Sequence, residues 1–254
     1  MLYVFGDSFS YDIKHLSFSN HIRDTQIVNS KGIPLYPNMI PLEKNWTAVV
    51  SEKLTGSVEH VNDSMPGCAN EYIFHNLMNR MSQFKDGDCV IVCLTSKIRR
   101  WLIERSPECA NWQYTNMDHL DDVVMRKEEK IALSQYARYL YSDLAADAIY
   151  KAMFWAIVNA AQSVASSGVR FIIVPGFEPI PGVHGTLQNA SQAEFDSEET
   201  DIAFRKKTND TRWNHFTEVN HTVLADKVYE FFTENKPLDL TTGFESNIYT
   251  KNNI

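Results

Sequence analysis

Four cysteines, at positions 68, 89, 93 and 109 of 254 residues, are too irregularly spaced for a sulfur-ligated metal site, since no Cys-x-x-Cys pair occurs. Cys89 and Cys93 lie four residues apart on an expected strand, which separates them by about 13 Å, too far for a disulfide. Reduced thiols and a cytosolic setting are the expectation. Basic charge is scarce as well: 24 Lys and Arg against 32 Asp and Glu leave a net charge of -8. Nucleic acid is then an unsuitable partner, because its phosphates are met by Lys and Arg. No apolar run approaches the roughly 20 residues of a membrane-spanning helix. The opening Met1-Leu2-Tyr3-Val4-Phe5-Gly6 also has no basic start followed by an apolar stretch, as an export signal would. The expectation is a soluble, cytoplasmic protein that makes no membrane contact.

A hydrophobic content of 44% is enough to bury one sizeable core, so one α/β domain is expected over residues 1–236, followed by a polar tail over 237–254. Short apolar runs alternate with longer helical stretches, a pattern that favours a parallel sheet with helices on both faces. Strands are expected at residues 2–5, 57–61, 89–94 and 169–174. Helices are expected at 43–54, 70–84 and 217–233, with two more within 126–167 that end at Ser167-Gly168. The last helix carries His221, Leu224, Ala225, Val228, Phe231 and Phe232 on one face, which marks His221 as a core residue. Residues 97–125 and 177–212 resist a regular reading. Both follow strand C-termini, where open α/β sheets place ligands.

The first strand runs directly into Gly6-Asp7-Ser8. A serine at a strand end suits nucleophilic hydrolysis, which needs a hydroxyl, a histidine base and backbone donors for an oxyanion. Asp7 or Ser8 capping a following helix explains the local sequence equally well. Two further segments accompany this one: Asn62-Asp63-Ser64-Met65-Pro66-Gly67-Cys68-Ala69-Asn70 after the second strand, and Asn214-His215-Phe216-Thr217 before the last helix.

Together the three segments resemble the SGNH, or GDSL-type, family of serine hydrolases and esterases, and the most similar members are those encoded by bacteriophages. The resemblance implies a three-layer α/β/α sandwich with a flavodoxin-like parallel sheet. It implies Ser8 as nucleophile and oxyanion donor, Gly67 as a second backbone donor and His215 as base, with no metal or cofactor. The family's aspartate stands three residues before the histidine, where this chain has Arg212. Either Asp210 orients His215 or the pair works as a dyad. The family's Gly-x-Asn-Asp block is replaced by Leu94-Thr95-Ser96-Lys97, so the missing asparagine donor falls to Thr95, Ser96 or Asn70.

Arg99 and Trp101 are the substrate-binding candidates. An arginine fork suits an anionic group and a tryptophan face suits a sugar, although Arg99 pairing with nearby acids such as Glu104 explains it as well. The expected substrate is a small-molecule or carbohydrate ester, with O-acetyl sugars favoured. The alternative is a weakly active or inactive binding module, such as a virion protein in an infected host cell, and virion or homo-oligomer contacts belong to that expectation.

Overall fold

A computed structural model describes residues 1–7, 9–10, 45–65, 68–97, 99, 143–191, 193–195, 197, 199–200, 216, 218–245 and 247–249. Ser8, Gly67, Trp101, Asp210 and His215 lie outside the described residues, as do residues 101–142.

The chain forms an α/β fold on a four-stranded parallel sheet. Its strands are β1 (Leu2–Phe5), β2 (Val61–Asn62), β3 (Cys89–Leu94) and β4 (Arg170–Pro175), in the order β2-β1-β3-β4. Successive side chains of a strand face opposite ways, so the continuous apolar runs of β1 and β3 feed two separate cores. Leu2, Val4, Cys89, Ile91 and Cys93 pack with Trp46, Val50, Leu224, Val228 and Phe232. Tyr3, Phe5, Val90, Val92 and Leu94 pack with Ile73, Leu77, Tyr150, Phe154 and Ile157. Helices α1 (Trp46–Thr55) and α5 (Glu218–Glu234) thus cover one face, and α2 (Asn70–Arg80) and α3 (Asp143–Ala165) cover the other. These are the three layers of the expected sandwich.

Helix α1 starts later than residue 43 because Asn45 is its N-cap, accepting a 3.1 Å bond from the Thr47 N–H. Gly56, at φ 75°, ends it in the left-handed conformation that glycine tolerates. The second strand starts four residues later than expected and ends one later. Hydroxyls of Ser51 and Thr55 take the main-chain oxygens of Glu59 and Ser57, which holds residues 57–60 in a turn and leaves only Val61–Asn62 to pair with β1. Helix α2 gives way after Arg80 to a 3-10 turn at Met81–Gln83. His221 is 2% exposed, in the core as expected, and its Nδ1 accepts the Trp46 N–H at 3.2 Å, supplementing the α1 cap from another helix.

Residues 177–212 hold more regular structure than expected: a short helix α4 (Leu187–Ser191) and a strand β5 (Ala193–Phe195), which pairs in parallel with β6 (Asn247–Tyr249). Residues 238–240 of the expected tail also join the fold. Leu238 and Leu240 are 1% and 0% exposed and pack with Leu187 and Ala190. The intervening Asp239 pairs with His184 as an isolated parallel bridge, closed by the Leu240 N–H on the His184 oxygen. The period-two alternation Leu-Asp-Leu is a strand-like signal, hidden within an otherwise polar segment.

Candidate active site

The sheet order sends the chain from β1 to one neighbour, β2, and then back across to the other, β3. Open α/β sheets bind ligands at the carboxyl ends of the two strands flanking such a reversal. Here those ends carry Gly6-Asp7 and Thr95-Ser96.

Gly6 is demanded by close packing. A Cβ there would stand 2.2 Å from Ser10 Oγ and 2.8 Å from Cys93 Cβ. Its main-chain oxygen accepts from the Met65 N–H at 2.9 Å and the Cys68 thiol at 3.2 Å, so the segments on both sides of Pro66-Gly67 are tied to the β1 turn. Ser10 continues the turn, its hydroxyl 2.9 Å from that of Ser64 and its carbonyl accepting from the Asn62 amide at 2.7 Å. Arg80 grips Asp63 through two bonds of 2.7 and 3.1 Å, which anchors the same segment to the end of α2.

Asp7 is wholly buried. One carboxylate oxygen accepts the Phe9 N–H at 3.0 Å, a short-range turn bond of the kind aspartate favours. The other accepts the Thr95 hydroxyl at 2.8 Å and Arg99 Nη1 at 2.7 Å. Arg99, 5% exposed, bonds Thr95 Oγ1 as well, and its guanidinium lies 5.2 Å from the centre of the Phe177 ring. The carboxylate paired with Arg99 therefore comes from the β1 turn, 92 positions away. This buried pair, with Thr95 bonded to both members, bridges the end of β1 and the loop after β3.

Asn70, the first residue of α2, clamps the Thr95 backbone. Its amide nitrogen donates to the Thr95 oxygen at 3.0 Å and its amide oxygen accepts the Thr95 N–H at 2.8 Å. One amide hydrogen is thereby engaged, and the other remains for a further acceptor. Ser96 donates to Glu178 Oε1 at 3.4 Å, and the Lys97 N–H donates to Glu178 Oε2 at 3.0 Å. Burial pushes the Glu178 carboxyl above the usual carboxylate range, with the Lys97 N–H and ammonium opposing. Burial likewise pushes the Cys68 and Cys93 thiols well up, and the nearby Asp7 charge adds to it. These thiols are not nucleophiles at neutral pH.

Ring contacts link the turn after β1 to the start of α5. Phe9, 1% exposed, lies 5.6 Å from Phe216 and 5.5 Å from Phe177, measured between ring centroids. The Trp46 indole N–H donates to the Phe9 carbonyl at 2.7 Å. Phe9 is the residue after Ser8, and Phe216 is the residue after His215.

Of the candidates named from sequence, Asn70, Thr95, Ser96 and Arg99 are described, and Asn70 and Arg99 both bond Thr95. Phe177 and Glu178 went unnoticed in the sequence. The signal was their place just beyond β4, at the same carboxyl edge of the sheet as Gly6 and Asp7. Among the described residues no group of three or more His, Cys, Asp or Glu stands ready to hold a metal ion, and no helix is long and apolar enough to cross a membrane. No protein-family model matches the chain, and no curated protein is significantly similar to it.

Proposed function

We propose that the chain is a serine ester hydrolase in which the Ser8 hydroxyl attacks an acyl carbon and His215 takes the serine proton. The tetrahedral intermediate collapses to an acyl-enzyme, and the leaving alcohol takes the proton back from His215. Water, deprotonated by His215, then attacks the acyl-enzyme, and the Ser8 oxygen takes that proton back from His215 as the acid is released. Asp210 is the proposed orienting carboxylate, and Gly67 and the Ser8 N–H are the proposed oxyanion donors, joined by Asn70 or Ser96. A small-molecule or carbohydrate ester is the proposed substrate class, and the chemistry requires no cofactor.

The observation that carries this reading is the convergence of three distant segments on the carboxyl end of β1. The chain neighbours of Ser8 and His215, Phe9 and Phe216, are in ring contact. Those flanking Pro66-Gly67, Met65 and Cys68, bond Gly6. The N-terminus of α2, whose Ala69 cap has no side-chain acceptor, is fastened through Asn70 to Thr95 at the end of the neighbouring strand β3, and its dipole favours developing negative charge.

A fluorophosphonate probe with peptide mapping tests it. The expected adduct is on Ser8, absent in His215→Ala. Hydrolysis of p-nitrophenyl esters no faster than Ser8→Ala, over a range of acyl chains, overturns the hydrolase reading. A second reading is a weakly catalytic binding module, such as a virion component. It is favoured by one observation: Asn70 and Ser96 each already donate within the protein. The same ester assay separates the two.

A further inference from the structure

Glu178 is reached through an unusually close approach of β4 to β3. The Gly176 N–H bonds the Leu94 oxygen at 2.8 Å, and a Cβ on Gly176 would sit 2.1 Å from that oxygen. Only glycine fits there. The contact locks the residues after β4 against those after β3, and so sets Phe177 against the Phe9 ring and Glu178 against Ser96 and Lys97. The main-chain oxygen of Glu178 is itself held at 3.1 Å by the Tyr150 hydroxyl of α3, and Lys97 Nζ pairs with Asp147 of the same helix at 2.7 Å.

We infer that Glu178 is a positioning residue of the candidate active site, whose carboxylate holds the Ser96-Lys97 backbone in place at the strand end where an ester oxygen is to be bound. The inference rests on the hydrolase reading above and adds to it a residue that reading does not use. The Lys97 N–H bond, at 3.0 Å, is the principal one, and the longer Ser96 bond supplements it. The titratable and charged groups facing Glu178 among the described residues are Lys97 from the β3 loop, itself paired with Asp147 of α3, and Tyr150 from α3.

A residue kept only for stability would not be chosen this way. Because burial raises its carboxyl above the ordinary value, ionising it costs more in the native state than in the unfolded chain. The resulting stability is present at low pH and is lost as pH rises through the raised value. Above that value the ionised Glu178 weakens the fold, and a neutral isostere should relieve it. Its positioning role predicts the opposite for catalysis: Glu178→Gln keeps an oxygen for the Lys97 N–H but turns an amide donor towards the Ser96 hydroxyl.

The test compares wild type, Glu178→Gln and Glu178→Ala in p-nitrophenyl acetate hydrolysis and thermal unfolding at neutral pH. For Glu178→Gln, kcat is expected to fall about tenfold, as for partial loss of oriented donors, with KM nearly unchanged. Its midpoint is expected to rise. Glu178→Ala, which loses both acceptors, is expected to fall further in kcat than the glutamine variant. Unchanged kcat in both variants overturns the inference, and so does a fall in kcat that only tracks a fall in midpoint. If wild type neither turns over ester nor labels at Ser8, the hydrolase reading itself fails, a result distinguishable from either.

Discussion

Removing Arg99 should be among the most damaging single changes to this fold. Its side chain is 6% exposed and its Nη1 lies 2.7 Å from the carboxylate of Asp7, which is completely buried. Arg99→Met keeps much of the apolar stem but leaves the Asp7 charge without its buried partner. Breaking such a pair from one side costs about 3–5 kcal/mol, because the remaining charge stays desolvated. Domains of this size hold roughly 5–15 kcal/mol in total. At about 2–4 °C per kcal/mol, the thermal midpoint should drop by about 6–20 °C. The double variant Asp7→Asn/Arg99→Met removes both charges and keeps an amide whose oxygen can accept the Phe9 N–H and whose NH2 can donate to the Thr95 hydroxyl oxygen. It should recover most of the loss, since a neutral buried set need not be less stable than an ion pair. Urea unfolding of the four members of the cycle measures this directly. A loss below about 1 kcal/mol for Arg99→Met, typical of an exposed pair, would refute the reasoning. So would a double variant no better than the single one.

Gly6→Ala should destabilise by about 1–3 kcal/mol as an overpacked core position does. Ser10→Gly in the same chain should restore only part, because Cys93 Cβ, 2.8 Å from the added methyl, still obstructs it; chemical denaturation of the two variants reads this out. Leu240→Ala should cost about 2–5 kcal/mol, the range for a buried leucine, although it lies in a stretch that composition marks as a tail; a midpoint within a degree of wild type would mean that the segment does not share the core.

The α/β class and most element positions were legible in the amino-acid sequence, because they follow from local periodicity and from residues that stop helices. The runs Leu2–Phe5 and Cys89–Leu94 are apolar at every position, as strands buried on both faces must be, and both form as expected. The stripe on α5 was equally clear, and it put His221 in the core. Local pattern failed where hydrogen bonding from elsewhere outweighs propensity. Residues 57–60 have strand-like composition, yet hydroxyls of α1 take their carbonyls. Leu238 and Leu240 read as part of a polar tail until their neighbours Leu187 and Ala190 are known.

At the candidate site, sequence alone singled out Gly6, Asn70, Ser96 and Arg99 by type and by place along the chain. It did not give their partners. A carboxylate and a guanidinium 92 residues apart carry no mark in the sequence that they share a bond, since that depends on β1 and β3 lying side by side. Glu178 reaches Lys97 only because β4 pairs with β3 and Gly176 lets the two strand ends touch. Composition and periodicity act over a few residues and so determined the elements. The pairing of strands brings together groups that are distant in the chain, and that step, made only in the tertiary structure, decided which side chains meet at the end of β1.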